Sequence, residues 1–171
     1  QEYERMSAMT NVGFHSYVLD AYLEHIWKGL DDYDFSEFDR KFEALLTVDP
    51  QAIVLLDIRF YMPEWWLDAY PDDASAYFEK TRRNTYDDVQ ALGSKHWLEA
   101  CEAPLKAIMD HVKATPVAER VWGVNISDSR GNEWFWGGAT AGTDFYRKPA
   151  QAGYSKADYK TFRAMLRRRY K

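Results

Sequence analysis

A single cysteine, Cys101, among 171 residues excludes a disulfide within the chain and, with only four histidines, excludes a Cys-rich zinc site. Cys101 therefore reads as a small residue on a helix face, and neither metal nor cofactor is expected. No run reaches the roughly 18 to 20 apolar residues of a membrane span, so a membrane partner is not expected. Neither charge sign dominates: 22 Lys and Arg against 27 Asp and Glu leave a net charge of −5, which argues against nucleic acid as the partner. No low-complexity linker and no internal repeat beyond βα alternation divides the chain, so residues 1–171 read as one unit, long enough to bury a core. Gln1 is not Met and no charged-then-apolar leader follows it, which reads as a processed or cut end. Compartment is not legible.

Aromatic residues are what the chain has in abundance. Seven Trp, twelve Tyr and nine Phe make 16% of it, while mean hydropathy stays negative at −0.57. Several of these rings fall outside regular apolar periodicity, so core filling alone does not account for them.

Tyr3, Met6 and Met9, three apart, predict a short helix over 2–10. Residues 13–19, opened by Gly13, are rich in β-formers and predict a strand. A loop follows, carrying Asp20, Trp27, Gly29, Asp31, Asp32 and Tyr33. Phe35, Phe38, Phe42, Leu45 and Leu46 trace one helical face, with Ser36 and Asp39 spaced as a capping-box variant and Asp49-Pro50 as the stop. Residues 52–60 form the clearest strand, apolar without alternation, as in a parallel strand covered on both faces. Pro63 and Pro71 predict a loop holding Glu64, Trp65, Trp66 and Tyr70. Residues 74–93 read mostly as loop. Ser94 caps a helix to about Lys113 that Pro104 kinks or interrupts. Residues 120–127 predict a second buried strand, and Ser155 with Asp158 caps a last helix bearing Tyr159, Phe162, Leu166 and Tyr170.

Helices and strands thus alternate, with the longer loops after the strands. That order predicts an α/β fold with a parallel sheet, and in such folds chemistry collects at the carboxyl ends of strands. Period two places Asp57 and Arg59 together near the end of one strand, either as a mutually satisfied ion pair or in contact with substrate. In the next strand it groups Gly123, Asn125 and Ser127, and leaves Trp122, Val124 and Ile126 for the helix-covered side. Trp65, Trp66, Trp134 and Trp136 follow the two strands; indole faces stack on sugar C–H faces, or else plug a loop. Asn132-Glu133 lies beside Trp134. A carboxyl next to an indole is desolvated and its pKa rises, as a general acid requires, while the neighbouring amide can hold a sugar hydroxyl. The run Arg167-Arg168-Arg169 reads as a solvated helix end that complements the helix dipole.

Tyr33-Asp34-Phe35-Ser36 with Asp39, Asp49-Pro50-Gln51-Ala52, Pro63-Glu64-Trp65-Trp66 with Tyr70-Pro71-Asp72, Gly123 followed by Asn132-Glu133-Trp134, and the tail Tyr154-Ser155, Phe162-Arg163, Leu166-Arg167 and Tyr170 occur in the order seen in one known group. On these residues the chain resembles the clan A glycoside hydrolases, and within them the family 42 β-galactosidase-like proteins, across most of residues 13–171. The resemblance implies a portion of a (β/α)8 TIM barrel, about strands two to four, with parallel strands and long loops at their C-terminal ends. It also implies retaining hydrolysis of β-linked sugars. Glu133 matches the family's acid/base and Asn132 the Asn before it, while the nucleophile falls outside this chain.

A whole barrel takes about 250 residues. On this reading the partners are an oligosaccharide or glycoside, bound by Asn132, Arg59, Asp57, Trp65, Trp66 and Trp134, and either the remainder of the barrel or a second copy paired through strand edges. Asp20, Asp57 and Asp128 are the nearby carboxylates within the chain. The alternative is a non-catalytic carbohydrate-binding or assembly fragment of a split or truncated barrel.

Overall fold

A computed structural model describes residues 2–75, 90–127 and 155–170. They fall into two compact units: residues 1–60 with 104–127, and residues 61–103 with 128–171.

The first unit opens with α1 (Glu2–Asn11), which ends in a Schellman turn: the Gly13 N–H donates to the Thr10 carbonyl (2.9 Å) and the Phe14 N–H to that of Met9 (3.0 Å). Gly13 holds φ at 80°, so it closes this helix and does not open a strand. Strand β1 accordingly runs from Ser16 to Tyr22, three residues past the expected end. The expected loop after it is structured: a single turn, α2 (Leu23–Ile26), then a hairpin of β2 (Trp27–Gly29) and β3 (Asp32–Tyr33), turned at Leu30-Asp31.

Helix α3 (Ser36–Val48) buries Phe38, Phe42 and Leu45, the face its periodicity predicts. Its N-cap position is Phe35, which offers no side-chain cap; Asp34, one residue earlier, accepts from the Ser36 N–H at 2.9 Å, and the expected Ser36–Asp39 box does not form. Asp39 instead meets the ring of His111 at 2.7 Å, and that ring stacks on Phe35 at 4.0 Å. Strand β4 (Ile53–Arg59) follows.

The chain returns to this unit partway into a later helix (Glu102–Ala114) and then runs through a 3₁₀ turn (Pro116–Arg120) to a strand, Val121–Ser127. We call that strand β5. The sheet order is β1-β4-β5, and both pairings are parallel. Leu19, Ala21, Val54, Leu56 and Ile58 are buried on one face. The other face is not covered as a parallel strand buried on both sides would require: Val18 is 61% and Ile53 44% exposed. Trp122, Val124 and Ile126 depart from expectation too, since they are exposed and not helix-covered.

The second unit begins with α4 (Glu64–Ala69), where a loop was expected. Pro63 sits at its N-cap, where a missing N–H costs nothing, and Glu64 favours the positive helix start. A 3₁₀ turn spans Pro71–Asp73, and Ala74 bridges Gln90 antiparallel. Ser94 caps α5 (Lys95–Ala100), accepting from the Trp97 N–H at 3.2 Å. The predicted interruption is real: α5 ends at Ala100, and α6 (Glu102–Ala114) starts after Cys101. Pro104 has no N–H to offer the Ala100 carbonyl, so one continuous ladder cannot form.

Helix α7 (Lys156–Arg169) begins with the predicted cap, the Ser155 hydroxyl accepting from the Asp158 N–H at 3.0 Å and donating to its carboxylate at 2.6 Å. A Cβ on Gly93 would lie 2.8 Å from the Asp158 Cα, so only glycine fits there. Tyr159, Phe162 and Tyr170 are exposed, and Arg167, Arg168 and Arg169 occupy the solvated last turn as expected. Cys101 is buried, at the break between α5 and α6. No described helix is long and apolar enough to cross a membrane, and no cluster of three metal-ligating groups occurs among the described residues.

Candidate functional site

The register of the parallel sheet brings chemistry-bearing residues into two rows at the strand ends. Asp20, Asp57 and Asn125 are direct neighbours across β1, β4 and β5; Tyr22, Arg59 and Ser127 form the next row. Period two gives all six the same face, the one left open further back along the strands.

Asp57 is the centre of this layer. It is 1% exposed and accepts three hydrogen bonds: from Arg59 Nε (3.0 Å), from Asn125 Nδ2 (2.7 Å) and from the Ser127 hydroxyl (3.1 Å). Arg59 also places Nη2 2.8 Å from Asp20, with its guanidinium 5.0 Å from the Tyr22 ring centre. Burial acts to lower the Arg59 pKa, but Asp20, Tyr22 and Asp57 outweigh it, and the net direction is upward. The arginine is therefore a fixed cation. Burial, then the charge of Asp20, raises the Tyr22 pKa and keeps its hydroxyl a donor, within 3.4 Å of Asp20.

Both readings of the Asp57–Arg59 pair are thus present together. The pair is mutually satisfied, and it carries Asp20, Tyr22 and Asn125, none of them fully buried, on its periphery. Such a layer offers a neutral ligand both donors and acceptors on a rigid base, which suits recognition of hydroxyls. Tyr22 was missed as a site residue because the strand was expected to end at Leu19. The alternation Asp20, Tyr22 against Leu19, Ala21 was the available signal.

In the second unit Trp65 is partly exposed and packs edge-on against Trp66, ring centres 5.4 Å apart. Trp66 is 2% exposed, donates from Nε1 to Asp73 at 3.1 Å and packs edge-on to Trp97. It is a core residue here, not an open platform. Asn132, Glu133, Trp134 and Asp128 lie outside the described residues.

No protein-family model matches the sequence, and no curated protein matches it. Solved structures do. A β-galactosidase from the psychrophilic Marinomonas ef1 superposes with a TM-score of 0.66 at 16% identity, covering 98% of this chain and 23% of that one. A β-galactosidase from Bacillus circulans sp. alkalophilus gives 0.64 at 18% identity, over 98% and 22%. The catalytic domain of a β-amylase from Paenibacillus polymyxa gives 0.61 at 10% identity, over 99% and 43%. The chain has the α/β fold of part of a TIM barrel, with no closed barrel among the described residues. It spans less than a quarter of the two galactosidases it matches.

Proposed function

We propose that this chain is part of the catalytic domain of a retaining glycosidase, of the family 42 β-galactosidase-like kind, acting on β-linked sugars. The observation that carries the reading is the polar double row, Asp20–Asp57–Asn125 and Tyr22–Arg59–Ser127, at the carboxyl edge of a sheet with this fold. In barrel enzymes that edge builds the active site.

In this reading Glu133 protonates the departing glycosidic oxygen and then, as a carboxylate, activates water for the second step. Asn132, Asp57 and Arg59 align sugar hydroxyls, Trp65 and Trp134 stack the rings, and Trp66 backs Trp65. A retaining reaction also needs a nucleophilic carboxylate about 5 Å from the acid. Asp57 suits that role poorly, because three donors already hold its charge. The family resemblance implies a nucleophile outside this chain. The partner that supplies it is the remainder of the barrel, or a second copy, paired along the edges of β1 and β5 that no described strand occupies.

The test compares wild type with Glu133→Gln, in the whole protein that carries this chain, on an alkyl β-galactoside and a nitrophenyl β-galactoside. A lost general acid slows the poor alkyl leaving group by about 10²- to 10⁴-fold and the nitrophenyl far less. Equal rates for variant and wild type on both substrates contradict the assignment. The alternative, a binding fragment without turnover, predicts oligosaccharide binding that survives Glu133→Gln and is lost in Trp65→Ala.

A further inference from the structure

The second unit holds a cluster that the glycosidase reading does not use. A cavity of about 290 Å³ opens beside the starts of α5 and α7, lined among others by Lys95, His96, Lys156 and Lys160, with Asp72 and Asp73. Three lysines against two aspartates give this wall a formal charge of +1, and protonation of His96 makes it +2.

Both carboxylates are already committed. Asp73, 7% exposed, accepts from the Ser94 hydroxyl at 2.6 Å and from Trp66 Nε1 at 3.1 Å, and lies 2.7 Å from His96 Nδ1. Asp72 takes the Lys156 ammonium at 2.7 Å. The nearby Gly93 N–H is committed as well, to Asp158 at 2.9 Å. The unmatched charge therefore lies with the lysines. Lys160 has no ion-pair partner among the described residues and Lys95 is only loosely paired with Glu99 at 3.6 Å; the second ring nitrogen of His96, whose Nδ1 hydrogen goes to Asp73, donates to a ligand only as the imidazolium. The imidazole is also positioned: Asp73 fixes Nδ1, and the rings of Trp66 and Tyr70 lie 5.0 and 4.7 Å away.

A pocket whose two carboxylates are each paired, and whose lysines are not all matched, keeps a net positive wall. It favours an oxyanion, for which lysine is a point-charge partner. Its volume lies at the small end of ligand sites, room for one such group on a small body and not for an oligosaccharide. We propose that this cavity binds a phosphate or sulfate group borne by a small molecule, with His96 and Lys160 as its principal contacts.

The test is a titration of the intact chain with inorganic phosphate, and separately with sulfate and glycerol phosphate, at ionic strength held constant with sodium chloride. The His96 imidazole and the backbone amides of residues 93–96 are followed by NMR. A saturating shift at His96 is expected. The affinity, read from the amides of residues 93–96 in every variant, should weaken about tenfold or more in Lys160→Ala and in His96→Gln, the size of one charge-assisted contact, and should be unchanged in the exposed control Lys113→Ala. Lys160 is itself exposed, so its variant keeps the fold, which the remaining amide dispersion verifies. A linear, non-saturating drift with all three anions, or saturation indifferent to Lys160→Ala, overturns the proposal. The relative affinities for phosphate, sulfate and the ester identify which oxyanion the site prefers. None of these readouts depends on glycoside turnover, so this site and the glycosidase reading fail separately.

Discussion

Two buried aspartates, one before β4 and one near its carboxyl end, teach different things. Asp49, just before β4, is fully buried; His15 Nδ1 lies 2.8 Å from its carboxylate, the Tyr17 hydroxyl donates at 3.0 Å and the Gln51 N–H at 3.0 Å. Those partners fasten the end of α3 to the starts of β1 and β4. Asp57, near the other end of β4, takes its partners from two strands, and around them stand half-open polar groups. The amino end of the sheet ties elements together, while the carboxyl end organises a surface. That is the division of labour of parallel-strand barrels, stability below and chemistry above.

The largest effect should come from Asp57→Ala, which removes the buried acceptor shared by Arg59, Asn125 and Ser127 and leaves Arg59 paired with Asp20 alone. We expect a loss of about 3–5 kcal/mol in chemical denaturation, and loss of glycoside turnover even where the variant remains folded. Asp49→Asn should cost less, about 1–3 kcal/mol, and leave turnover per folded molecule unchanged. If the two variants lose activity alike, the contrast between the two ends is wrong.

Asp49 also predicts a pH signature. Burial pushes its pKa up, but the bonds from His15, Gln51 and Tyr17 outweigh burial, and the folded value is depressed. Its contribution is therefore complete above the unfolded carboxylate pKa of about 3.9. It is lost as pH falls from there through the lower folded value. Acid titration of the midpoint should be steeper in wild type than in Asp49→Asn, and parallel curves would contradict this.

Ser94→Ala removes both the α5 cap and a bond to Asp73, and should cost about 1–2 kcal/mol by thermal melting. Trp122→Ser should be smallest, within about 0.5 kcal/mol, since the indole is 64% exposed. A larger loss in the whole protein would show that other strands or helices cover this face there.

Much of the sheet could be read from residues alone. The period-two face of β4, the α3 face and the break caused by Pro104 all follow from local rules, and all are present. What could not be read depended on context. Gly13 reads equally as a strand opener or a helix stop, and only the paired N–H groups of a Schellman turn decide between them. Trp65 and Trp66 are adjacent and chemically identical; the buried carboxylate of Asp73, seven residues past Trp66, makes one of them core. Trp122, Val124 and Ile126 carry a covered-face pattern, but burial needs a partner that strand periodicity cannot name.

The most direct test of the carboxyl-edge site is a titration with a non-hydrolysable β-thiogalactoside, followed by NMR on the side-chain amide of Asn125, Arg59 Nε and the Ser127 amide. The account predicts saturable shifts at these three and none at His15 or Gln51 at the amino end. Shifts confined to the amino end, or no saturable shift at Asn125 and Arg59, would contradict it.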